Sequence, residues 1–236
     1  MKKIFVNNYD NNYYKDSKYI NKIINISFVD YIDKTNVLRS EGEDAIWDIS
    51  ENNTESIMAW LEEDKNLGYY NLYIGSNRKI YAKDLSYLFS NMPSLVTINF
   101  NNLDTIFTNN MTSMFENCNN LSNLDLSNFN TKKVTSMESM FKNCNNLSNL
   151  NLTTFSFEEV TNTKEMFSNC HNLVTNIIIK KNKITDYDNM FKETSIKENS
   201  LVKIEYTNNS YELVEKIAAD LSDDSKIEIV KYEDTK

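Results

Sequence analysis

Glycine and proline are nearly missing from this sequence, with 3 Gly and 1 Pro in 236 residues. Their scarcity excludes collagen-like, Pro-rich and Gly-rich linker classes and deprives tight hairpins of their usual turn residues. No stretch reaches the roughly 20 apolar residues that a membrane-spanning helix requires. Positive charge is short as well, 25 Lys and Arg standing against 34 Asp and Glu for a formal net charge of −9. Direct nucleic-acid binding and polybasic membrane anchoring both need clustered cations, so the balance argues against each. Met1, Lys2 and Lys3 imitate the start of an export signal, but Asn7, Asn8, Asp10, Asn11 and Asn12 stand where its apolar stretch belongs. A cytoplasmic location is the expectation that follows. What the chain has in excess is asparagine, 38 residues of it, the side chain best able to replace glycine at positive φ.

The three cysteines, Cys118, Cys144 and Cys170, are spaced 26 residues apart. Phe89, Phe115, Phe141 and Phe167 repeat the same interval and Phe191 follows after 24, so the middle of the chain is a repeat array. One copy runs Val134, Met137, Met140, Phe141, Cys144, Leu147, Leu150, Leu152, Phe155, and the copy before it Met111, Met114, Phe115, Cys118, Leu121, Leu124, Leu126, Phe129. A copy with Met92 in place of Cys lies upstream, and a degenerate one with Thr194 at the Cys position lies downstream.

Val134, Met137, Met140 and Phe141 have the spacing of one apolar stripe on a two-turn helix, and Thr135 with Glu138 that of a capping box. Asn143, Cys144, Asn145 and Asn146 then read as a tight connection using left-handed Asn. Leu150 and Leu152 alternate with Asn149, Asn151 and Thr153, the period of a strand with one buried face. The expected fold is therefore an α/β repeat solenoid, a leucine-rich-repeat-like stack of short helix plus short strand units forming a parallel sheet. Residues 1–80 are expected to form an N-terminal cap with strand-like runs at Lys3 to Val6, Ile24 to Val29, Ser56 to Leu61 and Leu72 to Gly75. Residues 81–196 form the array of about five units, and residues 197–236 close it as a β-α-β cap.

The repeats resemble the leucine-rich repeats of BspA-type bacterial and protist proteins, in the segment LDLSNFNTKKVTSMESMFKNCNNL at 124–147. Trp47 to Ser50, Ser56 to Glu62, Leu72 to Ser76 and Lys79 to Ala82 resemble the leader segment found ahead of such repeats. The resemblance covers about residues 40–195 and implies a cell-surface protein defined by architecture rather than by one activity.

Stacked repeats place the cysteines in a buried ladder. With His171 the only histidine, no zinc ligand set forms, and no Walker loop, GxGxxG, HExxH or GxSxG is present. No catalytic residue, cofactor or metal is expected. The acidic groups Glu41, Glu43 and Asp44, Glu62, Glu63 and Asp64, and Asp223 and Asp224 lack EF-hand spacing and read as solvated surface. The Met114, Met140, Met166, Met190 stripe reads as core. What remains is the outward face of the strands. There Asn99 and Asn101, then Asn123, Asp125 and Ser127, then Asn149, Asn151 and Thr153 should form parallel columns for a protein partner, with the Tyr9, Tyr13, Tyr14 flank as a second candidate surface. The function expected is a non-enzymatic protein-protein interaction module. The alternative is a cytosolic acidic inhibitor or decoy of a nucleic-acid-handling enzyme, such as an anti-CRISPR protein.

Overall fold

Backbone hydrogen bonds that alternate between neighbouring repeats and the same repeat organise the middle of the chain. The computed structural model describes residues 17–40, 43–50, 54–65, 68–181, 183–221 and 224–232. Its elements begin with α1 (Ser17–Ile20), β1 (Ile23–Val29), β2 (Arg39–Ser40), β3 (Glu43–Asp44) and β4 (Ile46–Asp48). Then come β5 (Met58–Glu63), β6 (Tyr70–Gly75), β7 (Ile80–Tyr81), β8 (Thr97–Asn99), β9 (Leu103–Asp104) and β10 (Asn149–Asn151). The last are β11 (Val174–Ile179), β12 (Leu201–Tyr206), α2 (Tyr211–Ala219) and β13 (Ile227–Lys231). The expected runs at Ile24 to Val29 and Leu72 to Gly75 fall in β1 and β6, that at Ser56 to Leu61 overlaps β5 from Met58 on, and Lys3 to Val6 lies outside the described residues.

Two sheets carry most of the strand. The first has the order β4-β5-β6-β1-β8, antiparallel through β4-β5-β6 and parallel through β6-β1-β8. The second, β10-β11-β12-β13, is wholly parallel. An isolated bridge from Asn123 to Asn149 adds one more rung to its β10 side. Gly75 ends β6 where no other residue fits, because a Cβ there would meet the Tyr31 carbonyl at 2.1 Å and the Trp60 ring at 2.6 Å.

The helix expected in every repeat is absent, which corrects the helix-plus-strand solenoid: the only helices among the described residues are α1, of four residues, and α2, of nine. In the segment read as helical, the N–H groups of Met137, Ser139, Phe141 and Asn143 donate to the carbonyls of Asn162, Lys164, Met166 and Ser168 in the next repeat. The alternate amides of Met140, Lys142 and Cys144 fold back on the carbonyls of Met137, Ser139 and Phe141. Each copy is a run of turns stitched sideways to its neighbour. Left-handed backbone recurs every four residues, at Ser113 and Asn117, Ser139 and Asn143, Glu165 and Asn169, and no α-helix tolerates that. Successive four-residue turns return Met137, Met140, Phe141 and Cys144 to the same side, so apolar spacing of three and four arises without a helix. A column of bridges, Asp84 to Asn110, Ser136, Asn162 and Asp186, marks the seam.

Behind this column and the strands runs one apolar core. Phe89, Phe115, Phe141, Phe167 and Phe191 are fully buried or nearly so and stack in file, with centroids 5.8, 5.5, 5.6 and 5.4 Å apart. The last three pairs lie within 7 or 8° of parallel. Met114, Met140, Met166 and Met190 are buried beside them. At the C-terminal end, α2 adds Leu213, Val214 and Ile217 to the same core.

Candidate functional site

The residues expected to form outward columns are exposed but do not lie on one continuous sheet: Asn99 is on β8, which pairs with β1, whereas Asn123 bridges Asn149 beside the second sheet. Asn99, Asn101, Asn123, Asp125, Ser127, Asn149, Asn151 and Thr153 are all exposed, while Ile98, Leu124, Leu126, Leu150 and Leu152 between them point inward. Asn99 Oδ1 accepts the amide of Asn101 at 2.9 Å, Asp125 Oδ1 that of Ser127 at 2.9 Å, and Asn151 Oδ1 that of Thr153 at 3.1 Å. The three residues occupy one structural position in consecutive repeats. Each closes an Asx turn, at the end of β8 for Asn99 and of β10 for Asn151 and two residues past the Asn123 bridge for Asp125, the job glycine or proline does elsewhere. The Ser127 hydroxyl and amide hold the Asp125 carboxyl below the usual carboxylate range. This turn therefore favours folding above that range, and the contribution is lost as pH falls through the lowered value. Asn123 and Asn149 close no such turn, and a backbone bridge joins the two. Tyr9, Tyr13 and Tyr14 lie outside the described residues, as do Glu41 and Asp223.

Two further Asx corners complete the circuit of a repeat. Asp104 accepts from Ile106 and Asn130 from Lys132 at one corner, and Asp84 accepts from Ser86, Asn110 from Thr112 and Asn162 from Lys164 at another. Asparagine also builds an internal ladder. Asn117 Nδ2 donates to Asn91 Oδ1, Asn143 to Asn117 and Asn169 to Asn143, at 2.6, 2.6 and 2.7 Å. All four sit at φ between 61 and 63°. A half-buried rung of this kind satisfies the amide and the strained backbone together.

The cysteines are buried and free of disulfides. Each thiol donates to the Phe carbonyl of the preceding repeat: Cys118 to Phe89, Cys144 to Phe115 and Cys170 to Phe141, at 3.1, 3.1 and 3.0 Å. Thr194, at the Cys position of the degenerate copy, donates its hydroxyl to Phe167 at 2.7 Å in the same way. Burial pushes the thiols of Cys118 and Cys170 up to about 12 from an ordinary 9.0 and raises Cys144 as well. The thiolate, the form that reacts, is therefore suppressed. A thiol reagent should label the folded protein slowly and the unfolded protein fast; rapid, complete labelling in the folded state would contradict the burial. A raised thiol pKa stabilises the fold fully below pH 9, and that share is lost as pH rises from about 9 through 12.

One edge of the array was not legible as a surface from local patterns. The repeat interval aligns Tyr81, Phe107, Lys133 and Glu159, with Lys183 after 24 more residues. Reading exposed positions through the 26-residue register, and not only the apolar ones, would have found it. Among the described residues no group of three or more His, Cys, Asp or Glu is arranged to hold a metal ion, and no helix is long and apolar enough to cross a membrane.

Fold and surface together define a stacked-repeat protein whose units are turns tied to one another through the backbone. The chain belongs to the family described as Mycoplasma protein of unknown function, DUF285, whose model matches residues 83–204, more than half of its length. No curated protein and no solved structure matches it.

Proposed function

We propose that the chain is a non-enzymatic protein-binding module that uses the outward face of its repeats. The observation that supports this most is the set of exposed small polar side chains repeated at 26-residue intervals over a fully packed core. Thr97 is paired through its backbone with Asn25 of β1, and Asn123 is bridged to Asn149, beside the buried side chains of Ile98, Leu124 and Leu150. A surface held so firmly loses little conformational entropy on binding. The resemblance of residues 124–147 to BspA-type repeats is compatible with this reading, since that family is defined by architecture rather than by one activity. In this reading the β12-α2-β13 segment serves as a cap.

The test compares affinity capture by wild type and by an Asn123→Lys/Asn149→Lys variant. Neither residue closes a turn, so the variant should keep its Tm, exposed changes costing about 0.5 kcal/mol or less each. A partner recovered by the wild type and then purified should bind the variant at least about tenfold more weakly, a shift of about 1.4 kcal/mol. Equal affinity of a folded variant for every recovered partner would move the function off this face.

A further inference from the structure

Along the edge Tyr81, Phe107, Lys133, Glu159, Lys183, charge is balanced at one end and unbalanced at the other. Lys183 Nζ lies 2.6 Å from Glu159 and Lys181 Nζ 3.0 Å from Glu158, so the C-terminal half neutralises itself. The N-terminal half does not. Lys132 and Lys133 are exposed and make no ion pair among the described residues, and Lys79 and Lys83, two residues to either side of Tyr81, are exposed too, Lys79 Nζ donating to the Asn101 carbonyl at 2.6 Å. Two carboxylates lie nearby, Asp104 accepting the Ile106 amide at 3.0 Å and Asp84 the Ser86 amide at 2.8 Å, and the four lysines outnumber them.

Between these cations lies an apolar patch. Tyr81, Ile106 and Phe107 are 47, 43 and 50% exposed. The Tyr81 and Phe107 rings meet with centroids 5.6 Å apart, tilted by 56°, and Lys133 Nζ stands 5.2 Å from the centre of the Phe107 ring. Exposed aromatics cost solubility and are concentrated at contact surfaces. Unpaired cations around them, on a chain of net charge −9, select an occupant of opposite sign.

We propose that this edge binds an extended acidic segment of a partner protein, with an apolar side chain seated on Tyr81 and Phe107 and carboxylates reaching Lys132, Lys133 and Lys83. The site goes beyond the sheet face and stands or falls independently of it, since neither Asn123 nor Asn149 belongs to it.

The probe is a fluorescein-labelled synthetic peptide in which Glu and Asp flank a single Phe, followed by fluorescence anisotropy against the full chain. A counterpart with Lys in place of every acidic residue serves as the control. The acidic peptide should bind the wild type and the basic one should not. Lys132→Glu/Lys133→Glu should weaken binding by about tenfold or more, Phe107→Ala by a similar factor, and Lys216→Glu on α2 by less than about twofold. All four positions are exposed, and an unchanged Tm shows that each variant folds. No binding of the acidic peptide, equal binding of the basic one, or unchanged affinity in a folded Lys132→Glu/Lys133→Glu protein would overturn the proposal. Binding of dextran sulfate in the absence of peptide binding would also overturn it, assigning the edge to a polyanionic glycan.

Discussion

Replacing Phe141 with alanine is expected to lower the unfolding free energy by about 3 to 5 kcal/mol, the range for removing a buried aromatic side chain without refilling the space. The ring is fully buried and stacked on both sides, by Phe115 at 5.5 Å and Phe167 at 5.6 Å. Its loss breaks two contacts and leaves a cavity in the middle of the file. Among the described residues Phe191 stacks on Phe167 alone, so Phe191→Ala should cost less, as expected where each repeat is stabilised chiefly by its nearest neighbours. Phe107→Ala, at a half-exposed ring, should fall within about 0.5 kcal/mol of wild type. Urea unfolding of the three variants orders them. A cost for Phe141→Ala below about 1 kcal/mol, or equal costs at 141 and 107, would contradict the stacked core.

The second large effect is expected at Asn143, where two separate costs are joined. Its backbone lies at φ 62°, and its side chain donates to Asn117 and accepts from Asn169. Asn143→Ala places a Cβ without Asn's local compensation in left-handed backbone, for about 1 kcal/mol. It also deletes two half-buried hydrogen bonds worth about 0.5 to 1.5 kcal/mol each. Asn143→Gly keeps the conformation and loses only the ladder. The alanine variant should therefore be less stable by about 2 to 4 kcal/mol and the glycine variant by about 1 to 3 kcal/mol. If glycine matched wild type, the ladder would contribute nothing; if alanine matched glycine, the left-handed backbone would.

The period, the core and the turns were legible because each leaves a fixed chemical mark. Phe, Met and Cys at 26-residue intervals mark one buried side, and Asn in place of Gly marks left-handed turns, as at Asn143. The local structure around Met137 and Phe141 was not legible. Spacing of three and four is shared by an α-helix and by consecutive four-residue turns, and the choice between them lies in where each amide finds its acceptor. Here the acceptor is one repeat away, and nothing in the eight residues from Val134 to Phe141 records it. Ser139 and Glu165 carry positive φ without being Asn or Gly, a conformation held by the cross-repeat bonds of their own amides to Lys164 and Asp188. The outward face was legible as a surface, but the turn-closing work of Asn99, Asp125 and Asn151 was hidden. An exposed Asx looks the same in sequence whether its oxygen faces water or the amide two residues on.

Scalar coupling across hydrogen bonds tests this account most directly, because it reports which carbonyl each amide meets. In the folded protein the amide nitrogen of Phe141 should couple to the carbonyl carbon of Met166, and that of Phe115 to Met140. Coupling of Phe141 to Met137 instead, four residues back, would restore a helix to the repeat and contradict the turn-built stack.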